Sequence, residues 1–175
     1  MAIHYARLDD GTRWAIQPTR THVTTVEPPD WATNCTNYVD ANGSAVSSGT
    51  AWRSGTYYFS EYNWYPIFIP GNGLKVEHTN LTTSDTGRTQ SGGMYIGWIR
   101  RNIVKVNLAY TLMSGADLRY MYDLLQGEEY TMRYYDLGSV YTASAYTGDM
   151  SYTFDSYGQN GESVYTDCEM HMIGK

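Results

Sequence analysis

Several ingredients that would announce a chemistry are scarce or missing. There are two cysteines in 175 residues, Cys35 and Cys168, far apart and not in a CxxC pair. That is too few for a disulfide scaffold or a cysteine-based zinc site, so they are expected to be small buried residues. Positive charge is also limited: 12 Lys and Arg face 18 Asp and Glu, a net charge of −6, and no basic run occurs. Tight binding to a nucleic-acid backbone needs clustered cations, so that class is excluded. No apolar run approaches the roughly 20 residues of a membrane-spanning helix, so no membrane partner is expected. Residues 1–13 lack the apolar core of a signal peptide. The three sequons, at Asn34, Asn42 and Asn80, are therefore read as chance.

Catalytic signatures are missing as well. There is no GxSxG nucleophile elbow. The four histidines, His4, His22, His78 and His171, are scattered and form no HExxH. The acidic pairs Asp9-Asp10 and Glu128-Glu129 fall in turns, and Asp167 with Glu169 falls on the polar face of a strand, so all read as solvated surface. Gly71-Asn72-Gly73 and Gly92-Gly93 do not open helices at the spacing of a phosphate loop. The expectation is a protein with no catalytic residue, no metal ligand and no cofactor.

What the chain does have is tyrosine: 18 Tyr and 5 Trp against 3 Phe. Tyrosine joins a large apolar body to a polar tip, which suits half-wet surfaces, interfaces and strands. Two stretches are expected. Residues 1–70 hold N-terminal strands and a Tyr- and Trp-rich loop insertion. Within them, Leu8 and Trp14 flank the turn signal Asp9-Asp10-Gly11, which predicts a hairpin. Residues 30–56 are rich in Asn, Ser, Thr and Gly, with isolated aromatics. Trp31, Trp52 and Trp64 are candidate glycan contacts, their alternative role being core plugs or subunit contacts.

Residues 71–175 are more regular. Val104, Val106, Leu108 and Tyr110 alternate with Lys105 and Asn107, a half-buried strand. Ser114 with Asp117 predicts a capping box for a helix at about 115–126, with Leu118, Met121, Tyr122 and Leu125 as its apolar stripe and Gly127 as its stop. Strands follow over 129–136, 140–146 and 150–154, with a turn at Leu137-Gly138 and an end at Gly148-Asp149. In the last strand Val164, Cys168, Met170 and Met172 share one face, and Tyr165, Asp167, Glu169 and His171 the other. The fold class expected is mainly β: an antiparallel β-sandwich or barrel with one flanking α-helix.

The order of these segments carries a resemblance. The loop from Ser84 to Met94 contains Arg88 and leads through Arg100-Arg101 into Val104-Lys105-Val106-Asn107-Leu108. A short helix, the strand Tyr130 to Asp136, the end Tyr146-Thr147-Gly148-Asp149 and a closing strand to Lys175 follow. From about Leu74 to Lys175 this layout resembles a family of small, uncharacterised tail proteins of phages and prophages. It also resembles the wider tail-tube fold of tube, distal-tail and baseplate-hub proteins. The resemblance implies a structural virion component that is not an enzyme. It would assemble in the host cytoplasm into a ring, usually hexameric, with copies of itself and with other tail or baseplate proteins, and DNA would pass only as cargo. Residues 1–70 are a departure from the family's shorter members. Candidate interface residues are Arg88, Tyr95, Trp98, Arg100, Arg101, Tyr134 and Tyr146. The alternative is a carbohydrate-binding module that uses the loop tryptophans.

Overall fold

Alternation between apolar and polar side chains organises most of the chain into strands. The computed structural model describes residues 6–26, 38–39, 42, 44, 52–53, 55–60, 63–84, 87–88 and 92–175. In chain order the strands of the first half are β1 (Ala6–Leu8), β2 (Ala15–Pro18), β3 (Thr21–Thr24), β4 (Tyr38–Val39), β5 (Trp52–Arg53), β6 (Tyr57–Ser60), β7 (Tyr65–Pro66) and β8 (Phe68–Pro70). Then come β9 (Lys75–Thr82), β10 (Gly87–Arg88), β11 (Met94–Tyr95) and β12 (Trp98–Ser114). The helix α1 (Gly115–Leu125) precedes β13 (Tyr130–Asp136), β14 (Ser139–Tyr157) and β15 (Ser163–Gly174).

Seven strands form one antiparallel sheet in the order β7-β2-β13-β14-β15-β12-β9. Its register sets one apolar face. Val106 lies opposite Met172, Leu108 opposite Met170 and Tyr110 opposite Cys168, while Ile16 lies opposite Met132. All eight are buried, most of them completely. Full burial of each large apolar side chain contributes about 1.5–3 kcal/mol, so this face dominates the stability. The β1–β8 ribbon and α1 lie over it, with Leu118, Met121, Leu124 and Leu125 of the helix in the same cluster as the strand residues. The fold is mainly β and sandwich-like, with one flanking helix, as expected; the sheet does not close into a barrel.

The sheet is nevertheless strongly curled. Four strand spacings of about 4.8 Å would hold β13 and β9 about 19 Å apart in a flat sheet. Instead, His78 Nε2 of β9 lies 2.8 Å from Asp136 Oδ2 at the end of β13. Two side chains of this size meet on the apolar side only if the sheet bends around it.

Local signals in the second half act as predicted. Ser114 Oγ accepts from Asp117 N at 3.2 Å and donates to Asp117 Oδ2 at 2.9 Å, closing the cap of α1. Leu137 (φ 46°) and Gly138 (φ 84°) make the two-residue turn between β13 and β14. Other signals act differently. The end of α1 does not use Gly127 in a left-handed conformation: Gln126 at the C-cap is still right-handed. Here Thr147 of β14 donates its hydroxyl to the Leu125 carbonyl at 2.6 Å, satisfying an orphan acceptor of the helix end. Leu124 rather than Tyr122 completes the buried stripe of the helix.

The strand end predicted at Gly148-Asp149 is a bulge inside one long strand, β14, where the register with β15 slips between Thr147 and Met150. Gly148 belongs there because a Cβ would sit 3.0 Å from Ile173 Cδ1. The predicted first hairpin does not form either: β1 pairs with β8, while β2 pairs with β13 and β7. Asp9 explains the change of sheet. Its Oδ1 accepts from the backbone N–H of Gly11, Arg13 and Trp14 at 2.9, 3.3 and 3.2 Å, winding the chain into a wide turn.

Residues 1–70 therefore divide in two. β2 and β7 extend the seven-stranded sheet and β1–β8 covers it. Between them, β3 pairs with β6 and β4 with β5 in separate two-stranded ribbons.

Candidate functional site

Among the described residues no group of three or more His, Cys, Asp or Glu side chains could hold a metal ion, and no helix is long and apolar enough to cross a membrane. What the surface offers instead is edges, aromatic side chains and a marked separation of charge.

Among the described residues, three stretches of strand in the sheet have a ladder partner on one flank only. The terminal strands β9 and β7 pair with β12 and β2 alone. Within the sheet, β13 pairs with β14 only from Ser139 to Ala145, so Thr147–Tyr157 has β15 on one flank and no described ladder partner on the other. Open edges present unpaired N–H and C=O groups, to which another strand can add. The slips on β14 at Thr147–Met150, Ser151–Thr153 and Phe154–Ser156 twist that edge and limit which strand can add to it.

Five of the seven candidate interface residues come together at the far end of the β9–β12 hairpin. Arg88 and Tyr95 lie in the β10–β11 ribbon, and Trp98, Arg100 and Arg101 open β12. Arg101 stacks on Trp98, its guanidinium carbon 4.3 Å from the ring centroid. Met94, Ile96 and Ile99 beside them are exposed. The register of β12 with β9 slips between Trp98 and Ile103, where Asn102 has φ 56°. Tyr146 is also exposed, on the polar face of β14. Tyr134 is not a surface residue: it is buried in the core at 7 % exposure and stacked on Tyr141 with centroids 5.6 Å apart. Period-two alternation already puts Tyr134 on one face of β13 with Tyr130 and Met132, and the structure turns that face inward.

The tryptophans proposed as glycan contacts do not assemble into a described platform. Trp31 lies outside the described residues. Trp52 is paired through its backbone with Val39. One face of Trp64 is taken by Arg133, whose guanidinium carbon lies 4.0 Å from the ring centroid and whose Nη1 donates to Gly11 O at 2.6 Å.

A second aromatic cluster went unnoticed in the sequence because the bulges of β14 create it. Tyr152 packs edge-on against Tyr165 at 5.6 Å, and Phe154 packs against both Tyr165 and Tyr157 at 5.8 and 5.2 Å. Tyr157 is 73 % exposed and Phe154 50 %. The cluster borders a cleft of about 520 Å³ against α1, lined by Gly115, Leu118, Arg119, Tyr122, Tyr152 and Tyr165.

Two polar arrangements complete the surface. His78 bridges β9 to Asp136 through Nε2 and to Asn102 Oδ1 through Nδ1 at 2.5 Å. Both ring nitrogens face oxygen atoms, so the imidazolium satisfies both. The Asp136 hydrogen bond, followed by that of Asn102, raises the His78 pKa. On the polar face of the sheet, Asn107 donates to Glu77 at 2.5 Å and its Oδ1 meets His171 Nδ1 at 2.7 Å. Lys75 pairs with Glu77 and Lys175 with Glu129. Burial pushes the Cys168 thiol up to about 11, consistent with an inert core residue; Cys35 lies outside the described residues.

No protein-family model matches the chain, and neither a curated protein nor a solved structure matches it significantly.

Proposed function

We propose that the protein is a structural component of a bacteriophage tail, in a tube, distal-tail or baseplate ring, and that it works by assembling with copies of itself around the DNA channel. The observation that carries this reading is the set of strand edges left open among the described residues of one curled sheet: β9, β7 and the overhang of β14. Pairing of unlike edges between copies is a heterologous contact, which closes into a ring when the rotation between copies permits. The single flanking helix and the order of strands in residues 71–175 agree with the tail-tube resemblance. Tyrosine on the surface supplies contact area at low entropic cost. The glycan-binding alternative has less support, since Trp64 is already stacked under Arg133.

The test is the mass of the purified chain by light scattering over a wide concentration range, with negative-stain imaging. Closed rings or stacked tubes are the expected result. A chain that stays monomeric alone and in the presence of the other tail proteins of its source phage refutes the reading.

A further inference from the structure

The open edges do not say which surfaces of two copies meet. The distribution of charge does. Between Thr86 and Ala116 there is no Asp or Glu, while Arg88, Arg100, Arg101 and Lys105 are present. Among the described residues, none of the three arginines at the hairpin end forms an ion pair. From Tyr134 to Met170 the reverse holds: Asp136, Asp149, Asp155, Glu162, Asp167 and Glu169 occur with no Lys or Arg. Asp155 and Glu162 flank the turn of the β14–β15 hairpin, are exposed, and sit beside the aromatic cluster of Tyr152, Phe154 and Tyr157.

The two patches stand at opposite ends of the same strand. The arginine end lies at Trp98, where β12 begins; the acidic hairpin turn lies beside Ser114, where β12 ends and pairs with Val164. Seventeen residues of strand separate them, on the order of 50 Å at about 3.3 Å per residue. One copy therefore cannot bring its own patches together. Two copies can.

We propose that the arginine end of the β9–β12 hairpin in one copy docks on the acidic, aromatic end of the β14–β15 hairpin in the next copy, beside α1. This deepens the self-assembly reading and rests on it. The chemistry matches on both counts. Exposed arginines find carboxylates for charge-assisted hydrogen bonds and aromatic faces for cation–π stacking. Trp98, Ile99 and Met94 bring apolar area to Phe154, Tyr157 and the cleft over Leu118. The contact is head-to-tail, so it repeats, and each copy uses one patch of each kind.

The experiment uses the full chain in light scattering and sedimentation, over concentration and from low to high salt, with negative-stain imaging. Three variants are compared with wild type: Arg100→Glu with Arg101→Glu, Asp155→Lys with Glu162→Lys, and all four together. Near-UV circular dichroism checks that each is folded. Wild type should associate in a concentration-dependent way that salt weakens. Each two-residue reversal should weaken association at least about tenfold, because like charges then face each other. The four-residue exchange should restore it.

Association that neither reversal alters, or that the exchange fails to restore, overturns the proposal, as does a wild-type monomer at every concentration. Closed rings insensitive to both reversals overturn this contact and leave the ring reading standing. Open chains that both reversals abolish support the contact and count against ring closure. Retention on immobilised polysaccharide that Tyr152→Ala removes and the arginine reversal spares assigns the cleft to a sugar and overturns the proposal.

Discussion

Replacing Tyr110 and Tyr120 with phenylalanine tests whether the first 70 residues belong to the same cooperative unit as the rest. The two hydroxyls hold one short segment. Tyr110 of β12 donates to Phe68 O at 2.8 Å, and Tyr120 of α1 donates to Pro66 O at 2.6 Å. Between them Ile67 is fully buried, with its N–H on Trp14 O at 3.2 Å and its carbonyl accepting from Asp9 N at 3.0 Å. Each Tyr→Phe change keeps the ring and removes one hydrogen bond from a buried or half-buried carbonyl, a loss of about 1 kcal/mol. The pair should cost about 2 kcal/mol, which for a chain of this size lowers Tm by about 4–8 °C. Ile67→Ala removes a fully buried side chain from the same segment and should cost more, about 2–5 kcal/mol. Tyr141→Phe, whose ring is stacked but whose residue is 44 % exposed, serves as control and should stay within about 0.5 kcal/mol. The assay is thermal melting followed by near-UV circular dichroism, with urea titration for the free energies. Two separate transitions, or a double variant that melts within a degree of wild type, would refute the claim that residues 66–68 are stitched into the core.

The His78 bridge should make stability depend on pH. Its folded pKa is raised above the ordinary 6.5, so its contribution is fully present below about 6.5 and is lost as pH rises through the folded value. The urea midpoints of wild type and His78→Gln should thus differ most near pH 5.5 and converge by pH 9; a gap constant with pH would refute the bridge. Ser114→Ala removes the N-cap of α1 and should cost about 0.5–2 kcal/mol in urea unfolding, whereas Ser114→Asp should largely retain stability. In a Cys35→Ser background, Cys168, fully buried and with its thiol pushed up to about 11, should resist a thiol reagent at pH 8 in the native state and react on unfolding. Rapid native labelling would contradict its burial.

Much of residues 71–175 was legible because period-two alternation and helical capping are local signals. The buried set Val164, Cys168, Met170 and Met172 and the Ser114 cap can be read from the chain without knowing the partner strands. What was not legible depends on partners. Gly148-Asp149 carries the composition of a strand end, and only its pairing with β15 reveals a bulge within a continuous strand. Asp9-Asp10-Gly11 likewise signals a reversal, but the chain leaves it for a different sheet. The candidate assembly surface was half visible. Arg88, Arg100 and Arg101 were named as candidates through the resemblance, whereas the aromatic cluster of Tyr152, Phe154 and Tyr157 depends on bulges that no local pattern announces.

The same separation of charge bears on how DNA would pass the ring proposed above. A net charge of −6 suggests an acidic lumen that repels phosphate. The polar face of the curled sheet is not such a surface. It carries Lys75, Lys105, Arg133 and Lys175 together with Glu77, Glu129 and Glu169, and two of these cations are paired with carboxylates on the same face. The carboxylates that lack a cation close in sequence are concentrated in β14 and β15, with Asp155 and Glu162 at the hairpin end. If that end is consumed in contacts between copies, its charge is neutralised by arginine and never meets the DNA. A channel lined by the polar face would then be close to neutral, with Lys75 and Lys175 already held by carboxylates, and passage would not need repulsion. Lys75→Ala with Lys175→Ala is the discriminating pair. It strips the cations from Glu77 and Glu129 and should leave assembly unchanged; because both cations are already held by carboxylates, binding of a DNA duplex to the assembled particle should change little, and a large fall would show that they reach phosphate.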